Sequence, residues 1–170
     1  MSMRQRAVVV IGCTAMLVVL PFGAGASAKS KDGCKAISTS DVNAALSALA
    51  GGQAPDGTPM LGTTGVSKGY TSCTWKFPNG ALLFIGVNKV SKPSKQDFSR
   101  RSKAADAEKV PGLKKSFYAP VTTGGDGGTI TFIDGTTFVN LQYFTTGSAG
   151  DQAALKSALT TLAKKAAKKL

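Results

Sequence analysis

The chain has 170 residues, with 21 Lys and Arg against 9 Asp and Glu, a formal net charge of +12 and no His. That length allows one domain of ordinary size and argues against two. Without His there is no Ser-His-Asp triad, no Cys-His pair and no His-ligated metal. Binding, structural support and His-independent catalysis remain.

Residues 1–28 divide into three zones. Arg4 and Arg6 make a basic start, Ala7–Leu20 is almost wholly apolar, and Pro21–Ala28 is small and closes on Ala26-Ser27-Ala28. This is the layout of a secretory signal peptide cut after Ala28. Two rival readings share the segment. Residues 7–28 are long enough to stay as a membrane anchor, although Pro21 would interrupt such a helix. Val10-Ile11-Gly12-Cys13 loosely resembles a lipobox, but a long apolar stretch follows Cys13 where a polar linker is expected. Cleavage removes Arg4 and Arg6, leaving 19 basic and 9 acidic residues and a net charge of +10. It also leaves two cysteines, Cys34 and Cys73. An exported protein is expected to join them, with free thiols or an intermolecular bond as alternatives. A redox pair would want C-x-x-C spacing.

After a short polar lead, residues 29–33, a single domain is expected over 34–170. Ser38 and Asp41 make a capping-box-like start to a helix over 38–50, with Val42, Leu46 and Leu49 on one face and Gly51-Gly52 at its end. Residues 51–69 are rich in Gly and Pro and read as a long loop, mobile or functional. Residues 70–77 alternate as a strand, with Cys73 and Trp75 facing the same way. Pro78-Asn79-Gly80 turns the chain into a second strand over 81–87. Its apolar residues fall on both faces, so it is expected to be central and buried. A basic helix over 94–109 starts at Ser94-x-x-Asp97 and carries Arg100, Arg101, Lys103 and Lys109. A short strand over 115–121, a Gly124–Gly128 turn and a hairpin of 129–133 with 136–144 follow. The last helix, 151–170, has Leu155, Leu159, Leu162 and Ala166 in one stripe, after a Ser148-x-x-Asp151 start. The expected architecture is α+β: an antiparallel sheet of two hairpins and a short strand, with about three helices on it and one disulfide.

The segments Cys34-Lys-Ala-Ile-Ser38-Thr-Ser-Asp41-Val42, Ser72-Cys73-Thr74-Trp75 and Val110-Pro-Gly-Leu113, with the late hairpin and the closing helix, resemble a group of secreted proteins and lipoproteins of the actinobacterial cell envelope. Their domain has no known function. The likeness covers most of 34–170, and the two Cys contexts are its most specific pieces. It implies an envelope location, a Cys34–Cys73 bridge and a non-catalytic role, and it lends no catalytic residues. The chain departs from the lipoprotein members in lacking a good lipobox and a long linker, which argues against lipid anchoring.

Candidate chemistry is sparse. Asp126 with Asp134 across the second hairpin, or Asp106 with Glu108 on a helix, would be the acid pairs for acid–base work or metal binding; solvated turn and helix residues are the plainer reading. Gly124–Gly128 lacks the Gly-Lys-Ser/Thr ending of a phosphate loop. Ser99, Ser102 and Lys103 form the nearest Ser–Lys cluster for a His-independent hydrolase. No cofactor motif and no nucleic-acid motif is present. The basic surplus is the one global signal of a partner. Lys164, Lys165, Lys168 and Lys169, with Arg100 and Arg101, are the expected contacts for an anionic envelope polymer or lipid surface. Docking on another exported protein, through loop 51–69, is the competing expectation. The last helix could also lie on a membrane, although its leucine stripe is needed to cover the sheet.

Overall fold

Asp32 is the first N-cap among the described residues. Its carboxylate accepts from Cys34 N at 2.9 Å and opens helix α1, Gly33–Ala36. This short helix, absent from the expected elements, presses on the sheet through Gly33. A β-carbon at Gly33 would lie 3.1 Å from the Thr71 carbonyl oxygen and 3.2 Å from that of Ile85, so any side chain here would push the sheet backbone away by a few tenths of an ångström. The structure, a computed structural model, describes residues 32–56, 59–63, 70–122 and 125–170. The expected signal peptide lies outside them, as do parts of the 51–69 loop and of the Gly124–Gly128 turn.

Helix α2, Thr39–Leu46, begins at the expected capping box: Ser38 Oγ accepts from Asp41 N, and Asp41 accepts from Ser38 N. The stretch expected to be loop contains a strand, β1, Met60–Thr63. Strand β2, Thr71–Lys76, and β3, Leu82–Lys89, follow as the first hairpin. Helix α3 spans Lys92–Arg101 and is capped one turn earlier than expected. Ser91 and Ser94 form its capping box, because Pro93, which has no N–H to donate, fits the first turn. It also stops at Arg101, so Asp106 and Glu108 are not helical; Glu108 instead bridges to Tyr118. Strand β4 spans Lys115–Val121, β5 Asp126–Asp134 and β6 Thr137–Thr145. Gly127 and Gly128, expected in a turn, begin β5. Helix α4, Gln152–Lys169, is capped by Asp151 itself, whose carboxylate accepts from Ala153 N and Ala154 N.

The six strands form one antiparallel sheet in the order β1-β2-β3-β6-β5-β4. Two three-strand meanders thus meet at the β3–β6 pair. Helices α1, α2 and α4 pack together on one face. Side chains alternate across a strand, and the face beneath these helices presents Cys73 and Trp75 from β2, Leu83 and Ile85 from β3, Ile130 from β5 and Leu141 from β6, all fully buried. Leu155, Leu159, Leu162 and Ala166 of α4 close on them, so the leucine stripe serves the core and is not free for lipid. Each leucine contributes about 2 kcal/mol of burial. Among the described residues the one helix on the other face is α3, through Phe98 against Phe117 at 5.3 Å between ring centroids. Strand β3 is therefore central but covered on one face; Leu82 and Phe84 on its second face are partly exposed.

The Cys34–Cys73 disulfide is formed, with Cα atoms 5.0 Å apart, and ties α1 to β2. It closes a separation of 39 residues, worth about 4 kcal/mol in the chain-entropy view. The double replacement Cys34→Ser with Cys73→Ser is expected to lower unfolding free energy by about that amount in urea titrations, with an unchanged far-ultraviolet spectrum at low urea.

Candidate functional site

The four lysines singled out in the sequence sit in the last turns of α4. Lys165 pairs with Asp41 of α2. Lys164 extends over Gly112, where a β-carbon would lie 2.8 Å from its Cε. Lys168 and Lys169 are exposed in the last turn, where cations suit the helix dipole. Arg100 and Arg101 both hold Asp97, at 2.6 and 3.7 Å, and the Arg101 guanidinium lies 5.5 Å from the centroid of the Phe117 ring. Phe117 and Tyr118 are neighbours on β4 and point to opposite faces; Tyr118 joins the core under α4, while Phe117 meets α3. The arginines and the lysines are therefore separated by the sheet and make two basic patches.

Lys164 stands beside a cavity of about 400 Å³. Leu113, Phe132 and Ala167 supply its apolar lining, and Lys114, Lys115 and Asp134 its charge. A second cleft, about 520 Å³, opens at the start of α4 beside Asp106, Glu108, Tyr118 and Lys156. There the Tyr118 hydroxyl donates to Gln152 Oε1 at 2.9 Å, and Gln152 Nε2 donates to Asp126 Oδ1 at 2.7 Å. Asp126 Oδ2 accepts from Ala149 N at 2.8 Å. Lys156 pairs with Glu108, and its ammonium lies 5.8 Å from the Tyr118 ring centroid. Burial pushes the Tyr118 phenol up, and the charges of Glu108 and Asp126 push it further. The phenol keeps its proton and donates it to Gln152. This network braces the entry to α4.

The acid pairs come apart. Asp126 pairs with Thr145 and Asp134 with Thr137, at opposite ends of β5, which places them about 26 Å apart at strand rise. Among the described residues no three His, Cys, Asp or Glu side chains gather as a metal site. Ser102 Oγ points to the Ser99 carbonyl, 3.4 Å away, at the end of α3. No helix among the described residues is long and apolar enough to cross a membrane.

A third surface escaped the sequence reading: the sheet face that α1, α2 and α4 leave open. Phe84 of β3 stands opposite Gln142 of β6, Gly86 opposite Asn140, and Leu82 opposite Phe144. The signal was present, since Phe138, Asn140, Gln142 and Phe144 alternate with the buried Val139, Leu141 and Tyr143.

The Asp41 carboxyl is held down to about 2, against its usual 3.8, chiefly by the Lys165 hydrogen bond and then by Ser38. A lowered folded pKa means that this contact stabilises fully above pH 3.8 and fades as pH falls towards 2. Asp41→Asn is therefore expected to flatten the fall in stability over that window, measured by urea midpoint against pH. No family model, curated protein or solved structure matches the chain.

Proposed function

We propose that the chain is an exported, non-catalytic binding domain of the cell envelope, and that it engages an anionic envelope component. The observation that carries this reading is the placement of the acids. Of the nine acidic residues, at least six are committed to caps, ion pairs or bracing bonds, among them Asp32, Asp41, Asp97, Glu108, Asp126 and Asp151. These acids are tied to fixed partners, and the chain keeps its basic surplus, which draws anions. A closed disulfide suits an oxidising compartment, and the resemblance of the Cys34 and Cys73 segments to envelope proteins points the same way.

A second reading has its own support. Met60 and Leu61 on the edge strand β1 are 60% and 64% exposed, and an edge strand offers unpaired backbone groups to a partner strand. A protein docked there should co-purify through high salt.

Binding of the disulfide-bonded chain to isolated cell envelopes over a salt titration tests the first reading. Lys164→Gln, Lys168→Gln and Lys169→Gln together leave the Lys165–Asp41 pair intact. The parent is expected to lose binding as salt rises, and the triple variant to bind more weakly at low salt. Binding indifferent to salt and to the lysines would move the argument to the β1 edge.

A further inference from the structure

We propose that the sheet face turned away from α1, α2 and α4 is a binding platform for an acidic polysaccharide, with Phe84 and Phe144 stacking on sugar rings and Gln142 and Asn140 bonding their hydroxyls. This rests on the reading above that the ligand is an anionic envelope component, and it names the surface and the chemistry.

The geometry of the two rings is the first argument. A β-carbon at Gly86 would lie 2.9 Å from Phe84 Cε1 and 3.0 Å from its Cζ. Gly86 follows Phe84 by two residues on the same face, so the Cε1–Cζ edge of the ring reaches over bare backbone. The Cε2–Cζ edge of the Phe144 ring packs against Gly125, just before β5. Both rings are partly exposed. The face of a phenyl ring is electron-rich, and the C–H face of a pyranose is its complementary surface.

The amides are the second argument. Gln142 sits opposite Phe84 and two residues before Phe144, and Asn140 sits opposite Gly86, so each amide is beside a ring. An amide carries both donors and an acceptor, which matches neighbouring hydroxyls on one sugar. Thr131 Oγ1 donates to Asn140 Oδ1 at 3.1 Å, orienting that amide with its nitrogen as the donor for a ligand.

Charge selects the kind of polysaccharide and disposes of the rival occupants. The strand positions of this face include the exposed Lys76 and, at the end of β4 where it also lines the cavity beside Lys164, the exposed Lys115, and no carboxylate among the described residues. A second copy would bring like charges together. An acyl-chain surface would strip water from Gln142 and Asn140 without replacing it. A glycan bearing carboxylates meets the rings, the amides and the lysines together.

The test uses the full disulfide-bonded chain with polygalacturonate as the acidic polymer, dextran as the neutral one and phosphatidylglycerol vesicles as the lipid control. Phe84→Leu keeps Gly86 covered but removes the ring, and Gln142→Ala changes a side chain outside the core. Each is expected to weaken polygalacturonate binding about tenfold, or 1.4 kcal/mol, with thermal midpoints near the parent's. Dextran and vesicles are expected to bind far more weakly. Variants that bind like the parent would overturn the platform, as would equal binding to dextran, preference for vesicles, or self-association as the main behaviour. A parent that binds envelopes but not polygalacturonate overturns the platform and leaves the envelope reading standing. A parent that binds neither removes both.

Discussion

The clamp between the first helix and the second strand is the constraint on which the rest of the structure depends. Helix α1 has four residues, far too few to persist alone. Two kinds of bond hold it. The Cys34–Cys73 disulfide joins it covalently to β2. Thr71 Oγ1 donates to Asp32 Oδ1 at 3.1 Å and accepts from Gly33 N at 3.1 Å. Trp75 Nε1 donates to Thr39 Oγ1 at 3.1 Å, satisfying a fully buried indole and fixing the start of α2. With α1 and α2 so placed, α4 has a groove to fill, and its leucines reach β5 and β6. The clamp thus decides which face of the sheet becomes the core.

Once that face is chosen, the other carries α3 alone among the described helices, and most of its side chains are half-buried or buried. An antiparallel sheet tolerates this, since one face can meet water if its side chains suit it. Here they do so in a mixed way: aromatic ring edges over glycines, amides and hydroxyls between them, lysines at the ends. Helix α3 covers only the β4 side, held by Phe98 on Phe117 and by Arg101 over the same ring. It has no fully buried residue. The molecule is a two-layer fold with a partial third layer.

The electrostatics follow from the same economy. Helix starts need acceptors for their unpaired N–H groups, and Asp32, Asp41 and Asp151 supply them. Asp126 reaches across to the chain before α4. The basic surplus itself is set by composition; the helix starts fix where the few acids stand.

Much of the fold is legible in the sequence by itself. The period of Leu155, Leu159 and Leu162 specifies a helix with one buried stripe. The alternation around Cys73 and Trp75 specifies a strand facing a core. Ser38 with Asp41 specifies a helix start, because a cap is made by residues three apart. These are local signals, and local geometry alone satisfies them. Other features are decided only in three dimensions. Strand β1 exists because β2 offers it an edge, not because Met60–Thr63 alternates. The start of α3 moves to Ser91 because Ser91 and Pro93 fit the first turn better than the equally plausible Ser94-x-x-Asp97. Asp126 and Asp134 separate because β5 runs nine residues, beginning at glycines that read as a turn. The lysines of α4 and the arginines of α3 fall on opposite faces because the sheet runs between them. So too with the open platform: the pattern of apolar residues on both sides of β3 says that two faces are apolar, but only the packing of α1, α2 and α4 determines which one is covered.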